Sequence, residues 1–178
     1  ANRQLLSEAA RSAFGRVAGT DRLELLYDVS HNLAKLETHT VDGRDHRLCV
    51  HRKGATRALP PGHPELPDDL RPVGQPVMVP GSMGTASFHT EGRGCVEALS
   101  SSSHGAGRRM SRGAARDRIT RRAFETQMKG VWHDAHVAGK LREEAPGAYR
   151  NIDAVMRAQH DLTKVVRRLA PVLSYKGV

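Results

Sequence analysis

The chain has 178 residues, with 28 Lys and Arg against 19 Asp and Glu, and carries a formal charge of +9. At 38% hydrophobic and 26% charged residues it has a globular composition, and its length suits one domain or a large piece of a bigger one. No window holds the roughly 18 uninterrupted apolar residues of a membrane span. The first residues lack the basic-then-apolar layout of a secretion signal. Cys49 and Cys95 are too few for a disulfide scaffold, and no CxxC pair exists for structural zinc. A reducing, cytoplasmic setting is expected.

Residues 1–20 read as a helix, with Leu5, Leu6, Ala9, Ala13, Phe14 and Val17 on one face and Gly15 and Gly19 weakening its end. No capping signal precedes it, so the sequence reads as the C-terminal part of a longer chain. From about residue 22 to 107, strand and turn signals dominate. Leu33 to Val41 and Leu48 to Val50 flank Asp42-Gly43, a strong hairpin cue. Pro60-Pro61-Gly62-His63-Pro64 is a loop, and two short strands, Gln75 to Val79 and Thr85 to His89, flank Pro80-Gly81-Ser82-Met83-Gly84. Arg109 to Met128 is predicted as one basic helix with Ile119, Ala123 and Phe124 inward. Asn151 should cap a helix carrying Ile152, Val155, Met156 and Leu162, and Pro171 to Tyr175 should form a short closing strand. The expected fold class is α+β, a mixed sheet core with segregated helices and no internal repeat.

The positive charge is clustered. Between Arg108 and Lys129, eight basic residues face only Asp117 and Glu125, a net six of the nine excess charges. Such a stripe suits phosphate-rich partners through counterion release, or is a solvated helix face. With three Phe, three Tyr and one Trp in the whole chain, a base-stacking platform is a poor fit.

Four segments hold candidate chemistry. Small residues surround His104 in Ser100 to Arg109, where backbone N–H groups beside a basic segment could form an anion nest and the imidazole could act as general base or attack phosphorus; the plain alternative is a flexible Ser/Gly loop with a solvent-exposed His. Pro80 to Ser87 could cradle phosphate or ribose, or be an ordinary turn; it lacks the Gly-Lys-Ser/Thr ending of a P-loop. In Tyr27-Asp28-Val29-Ser30-His31-Asn32, His31 is a possible metal ligand or phosphate contact, although a lone His offers no chelating spacing. His51-Arg52-Lys53-Gly54-Ala55-Thr56-Arg57 places three cations around a Gly turn, suited to RNA phosphates or to solvent. His133 and His136 lack the carboxylate of a zincin-type site, and no metal is assigned there.

Together the segments Tyr-Asp-Val-Ser-His-Asn (27–32), His-Arg-Lys-Gly-Ala-Thr-Arg-Ala (51–58), Pro-Gly-Ser-Met-Gly-Thr-Ala-Ser (80–87), His-Gly-Ala-Gly-Arg (104–108), Glu-Ala-Pro-Gly-Ala-Tyr (144–149) and Tyr-Lys-Gly (175–177) occur in the order seen in RtcB-type RNA-splicing ligases. The chain resembles the C-terminal part of that family's single catalytic domain, with the N-terminal half absent. The resemblance implies a GTP- and manganese-dependent ligase joining RNA 2′,3′-cyclic phosphate or 3′-phosphate ends to 5′-hydroxyl ends. It makes His104 the nucleophile that forms a histidine–GMP adduct. It marks Asn32, Pro80, Gly81, Ser82, Met83, Ser87, Gly105, Ala106, Gly107, Tyr149 and Lys176 as guanylate contacts, and His31 as a manganese ligand. Lys53, Arg108 and Arg112 are candidates for RNA or triphosphate oxygens. Lys176 reaches the site only if the tail folds back. The family's other metal ligands come from its N-terminal half, so the partners expected are RNA and that half or a complementary chain. The alternative is a non-catalytic RNA-binding or docking fragment lacking the metal half-site.

Overall fold

The computed structural model describes residues 2–30 and 32–177. Helix α1 (Asn2–Ala18) matches its predicted span, but Leu5, Leu6 and Val17 remain 67%, 69% and 90% exposed, so its apolar stripe finds no cover among the described residues. Strands β1 (Asn32–Val41) and β2 (Arg44–Lys53) then form a long antiparallel hairpin. Its turn is the Asp42-Gly43 pair, both at positive φ (50° and 73°), the backbone twist that a two-residue hairpin demands.

The next three strands set the frame of the site. Strand β3 (Ala55–Arg57) is followed, after the proline-rich loop, by β4 (Pro76–Val79) and β5 (Ser87–Gly92), which pair antiparallel. Strand β6 (Ser101–Ser103) returns to pair antiparallel with β3. Neither β3 nor β6 is evident in the sequence pattern, because three-residue strands carry no readable alternation.

The predicted single basic helix is instead two: α2 (Arg112–Arg118) and α3 (Arg121–Gln127). Each has its own N-cap, with the Ser111 hydroxyl accepting from Ala114 N–H and the Thr120 hydroxyl from Ala123 N–H. Between them Ile119 turns extended (φ −89°, ψ 107°), which buries it to 5% exposure. A capping hydroxyl competes with helix continuation and wins here because the break seats an apolar side chain. The short α4 (Ala138–Leu141) follows. Helix α5 (Ile152–Ala158) is capped by Asn151 as expected but stops before Leu162, giving way to an unpredicted strand β7 (Thr163–Leu169) that pairs antiparallel with β5. The tail after Pro171 is not a strand: it forms a single parallel bridge, Leu173 to Trp132.

Two apolar clusters result. One gathers Phe124, Ile119, Met128, Leu141 and Met83 from the helical part, and the other gathers Val77, Val79, Phe88, Ile152 and Ala106 from the sheet side. Tyr149 packs against both, so it marks the seam between them.

Candidate active site

A cleft of about 420 Å³ opens along that seam, lined by Pro80 to Met83, His104 to Arg108, Glu144, Tyr149, Ser174 and Lys176. The segments building it are far apart in sequence, and backbone hydrogen bonds fasten them. Residue His104 leaves the end of β6, and its N–H donates to Gly54 O at 3.3 Å. Ala106 N–H donates to Pro80 O at 2.9 Å, tying the histidine loop to the loop after β4. Arg150 N–H donates to Gly107 O at 3.0 Å and Arg109 N–H to Ala148 O at 2.9 Å, around a bridge between Arg108 and Tyr149. Within the 80–84 loop, Ser82 and Thr85 hydroxyls are hydrogen-bonded at 2.8 Å. A Cβ at Gly81 would drive into Ala86 O, so only glycine lets the loop fold this tightly.

The tail reaches the cleft by clamping Trp132: Trp132 N–H donates to Val172 O at 3.0 Å, and Ser174 N–H donates to Trp132 O at 2.9 Å. Lys176 thereby comes close enough to Glu144 to lower its pKa. Burial by itself would push the Glu144 carboxyl up; the Tyr149 hydroxyl and the charges of Arg108 and Lys176 outweigh it, so the net shift is down and the group is a carboxylate. Tyr149 moves the other way: burial and the adjacent Glu144 raise its phenol, which therefore stays protonated and donates to Glu144.

Arg108 is largely committed inside the protein. Its Nε donates to Met110 O at 3.1 Å, Nη1 to Glu144 at 3.2 Å and to the Tyr149 oxygen at 3.0 Å, and Nη2 to Glu143 O. Its guanidinium also lies 4.9 Å from the Tyr149 ring centroid. It braces the tyrosine more than it offers N–H groups to a ligand, which narrows the phosphate role expected of it.

A second cleft, of about 470 Å³, adjoins the same loop. Residues His104 to Arg108 line it too, together with Gly54, Ser103, Arg150, Gln159 and the apolar Val155, Ala158 and Leu162. Gln159, 4% exposed at the C-terminal cap of α5, accepts from Ser103 N–H at 3.0 Å and so holds the residue just before His104.

Of the residues singled out from the sequence, Pro80, Gly81, Ser82, Met83, His104, Gly105, Ala106, Gly107, Arg108, Tyr149 and Lys176 line the first cleft. Ser87 does not; it opens β5 and pairs with Leu169. Asn32 is exposed opposite Lys53 in the hairpin and lines neither cleft. Arg112 is 67% exposed and leans on Glu143 and Glu144 at 3.6 and 3.4 Å. His31 lies outside the described residues.

The cation cluster at 52–57 comes apart. Arg52 is buried on Glu37 and Arg57 pairs with Glu65 at 2.7 Å, which leaves Lys53 exposed. Long-range acids decide this, and no local pattern announces them. Glu144 and Ser174 line the cleft without a site role in the sequence pattern; for Glu144 the available signal is its place in the Glu-Ala-Pro-Gly-Ala-Tyr motif, five residues before Tyr149.

Manganese fits these residues poorly by themselves. Among the described residues, no group of three or more His, Cys, Asp or Glu stands together as a ligand set, and one histidine does not hold a divalent ion. No described helix is long and apolar enough to cross a membrane.

Comparison with known proteins adds the lineage. The family model "RtcB: tRNA-splicing ligase RtcB" matches residues 1–177. The RNA-splicing ligase RtcB of Mycobacterium tuberculosis is 48% identical over 181 residues, a match covering 99% of this chain and 42% of that protein. The tRNA-splicing ligase RtcB of Archaeoglobus fulgidus is 44% identical over 186 residues, with 99% and 39% covered. That of Pyrococcus furiosus is 44% identical over 189 residues, with 99% and 19% covered. The chain therefore spans about two fifths or less of the length of these curated relatives.

Proposed function

Because the chain belongs to the RtcB family of tRNA-splicing ligases, we propose that it forms the guanylate-binding part of an RNA ligase working through a histidine–GMP intermediate. The observation that carries this reading is the meeting of His104, the 80–83 loop, Tyr149 and Lys176 in one cleft. These residues are up to 96 positions apart in sequence, from Pro80 to Lys176, and an RNA-binding surface alone has no need to converge them on one imidazole.

In this reading GTP enters the cleft with its base near Tyr149 and Lys176 and its α-phosphorus at His104. The imidazole nitrogen attacks that phosphorus, a P–N bond forms, and the bond to the β-phosphate oxygen breaks to release pyrophosphate. An oxygen of the RNA 3′-phosphate then attacks the same phosphorus, and the P–N bond breaks. Finally the 5′-hydroxyl of the second RNA displaces GMP. The backbone of Gly105 to Gly107 holds the phosphate in place, and Glu144 keeps the Tyr149 hydroxyl and Lys176 oriented. Placing the reacting atoms this way supplies much of the catalysis in phosphoryl transfer.

Manganese is proposed as the required metal, with its ligands other than His31 supplied from outside these 178 residues, on a longer polypeptide or a partner chain. A reducing, cytoplasmic setting suits the free Cys49 and Cys95. Incubation with α-labelled GTP and manganese, followed by peptide mass spectrometry, tests the reading. The complete ligase should carry GMP on His104, and the 178-residue chain by itself should carry none. Label on another residue refutes the assignment; RNA binding with no label in the complete protein favours a non-catalytic RNA-binding or docking fragment.

A further inference from the structure

We infer that the outward face of the β1–β2 hairpin is a rail for single-stranded RNA, on which Lys53, His51 and Arg47 take backbone phosphates of a strand that ends at the His104 site. This rests on the RNA-ligase reading above and adds to it a surface and the path of a substrate strand.

Side chains alternate between the faces of a strand, so the register of the hairpin sorts its residues into two sets. One face packs: Glu37, His39, Val50 and Arg52 are buried or half-buried. The other, made of the even-numbered residues of β1 and the odd-numbered residues of β2, is exposed at every position. Lys53, His51 and Arg47 lie on it in one row, with about 7 Å from 53 to 51 and about 20 Å from 53 to 47. Among the described residues none of the three is held by a hydrogen bond or an ion pair. The lone carboxylate on this face, Asp45, sits at the far tip, where it accepts from the Thr40 hydroxyl at 2.7 Å.

An extended nucleic-acid strand is the ligand this row fits. Its phosphates repeat at a spacing close to that of alternate residues on a β-strand, whereas the deep, narrow major groove of an RNA duplex does not admit a protein ribbon. The face has no aromatic side chain to stack on bases, so its contacts are with phosphates and sugar hydroxyls, and binding there is sequence-tolerant and salt-sensitive. Asn32, opposite Lys53, and Thr38, opposite Arg47, add neutral hydrogen-bonding groups. A protein interface would centre on a larger uncharged apolar core than Ala34 and Leu36 provide.

The inner end of the rail adjoins the reaction centre. Gly54 follows Lys53, its carbonyl accepts from His104 N–H at 3.3 Å, and a Cβ on Gly54 would stand 3.8 Å from His104 Cε1. The Lys53 Cα is therefore within about 9 Å of the imidazole, a gap that about two nucleotides cross. On the packed face, Arg52 joins Glu37 to the Ser101 hydroxyl and Leu99 O, which ties the ribbon to the strand that delivers His104.

The test uses the complete ligase carrying this chain, as wild type, Arg47→Glu and Arg47→Lys. Binding of labelled single-stranded RNA is followed by fluorescence anisotropy over a range of salt. One strand has about three nucleotides, too short to reach from His104 to Arg47, and the other has about a dozen. Arg47→Glu should weaken the longer strand about fivefold or more and flatten its log–log salt slope by about one. Affinity for the shorter strand and the rate of GMP labelling should stay within about twofold. Arg47→Lys should keep most of the longer strand's affinity, because a phosphate contact needs the charge more than the fork. In joining reactions, lengthening the 3′-phosphate strand or the 5′-hydroxyl strand separately assigns the rail to the one whose KM rises in Arg47→Glu; a rise for neither overturns it. Unchanged affinity for the longer strand or equal weakening of both lengths also overturns the rail, as does a fall in Tm without loss of RNA affinity, the sign of a face packed on protein. Failure of the wild type to form the GMP adduct overturns the functional reading instead, and the anisotropy titrations still decide the rail.

Discussion

Removing the guanidinium of Arg52 should destabilise the protein out of proportion to one side chain, because it strands the Glu37 carboxylate, whose side chain is itself nearly out of solvent. The Arg52 and Glu37 side chains are only 1% and 7% exposed. Nη1 and Nη2 grip the two Glu37 oxygens at 2.8 and 2.7 Å, Nε reaches the Ser101 hydroxyl at 2.9 Å, and Nη2 also reaches Leu99 O at 2.9 Å. Those last contacts hold a costly piece of backbone, since Leu99 and Ser100 are consecutive non-glycine residues at φ 48° and 49°. The turn they make launches β6 and thus His104.

Truncation to Ala leaves Glu37 buried with only His39 beside it, at 2.9 Å. Breaking a buried pair from one side costs about 3–5 kcal/mol, and with a urea m-value of about 2 kcal/mol/M that is a midpoint shift of about 2 M.

The acid side of the profile sharpens the expectation. In the wild type, burial would raise the Glu37 carboxyl, but hydrogen bonds and charge from Arg52 and His39 outweigh it and bring the net value below the ordinary 4.5. Stability from this group is therefore fully present above 4.5 and is lost as pH falls through the lowered value. In Arg52→Ala only His39 still counters burial, so the carboxyl protonates more readily, and the deficit should shrink on going from pH 7 to pH 4. A companion Arg52→Met, Glu37→Leu double variant should recover much of the loss, because no charge is stranded. A deficit below about 1 kcal/mol, one that grows on acidification, or a double variant as unstable as the single one would refute the reasoning.

Phe124, fully buried and edge-on to His133 with ring centroids 5.2 Å apart, should cost about 3–5 kcal/mol of unfolding free energy when cut to Ala, read by denaturant titration. His104→Ala should abolish GMP labelling in the complete ligase while leaving RNA affinity within about threefold in filter binding, since one ring contributes little beside the chain's many Lys and Arg; equal loss of both would mean a structural role. Tyr149→Phe keeps the ring but removes the hydroxyl shared by Glu144 and Arg108, and should lower stability by about 1–2 kcal/mol and weaken GMP binding measured by calorimetry. Glu65 has its carboxyl pulled down to about 2, first by the Lys35 hydrogen bond and then by Arg57, against burial. Its contribution is present above 4.5 and fades as pH falls towards 2, and because the pair is surface-exposed Lys35→Ala should cost under about 1 kcal/mol at pH 7 in the same titration.

The sequence alone settled what short-range chemistry controls. The Asp42-Gly43 hairpin, the Asn151 cap and the first helix follow from local backbone preference, and each formed where its residues asked for it. The ordered motifs likewise marked the loop at 80–83, His104, Tyr149 and Lys176 before their nearness was visible. Local pattern misled where a distant partner had the larger effect: the basic helix broke so that Ile119 could be buried, and the stretch after α5 became β7 because β5 presented an unpaired edge. Arg52 was drawn out of the cation cluster by Glu37, fifteen residues away in sequence and directly beside it in space. Which cations stay free, which carboxylate enters the cleft and that one imidazole faces two cavities were decided by tertiary structure alone. Each depends on desolvation and charge pairing between segments that sequence order does not bring together.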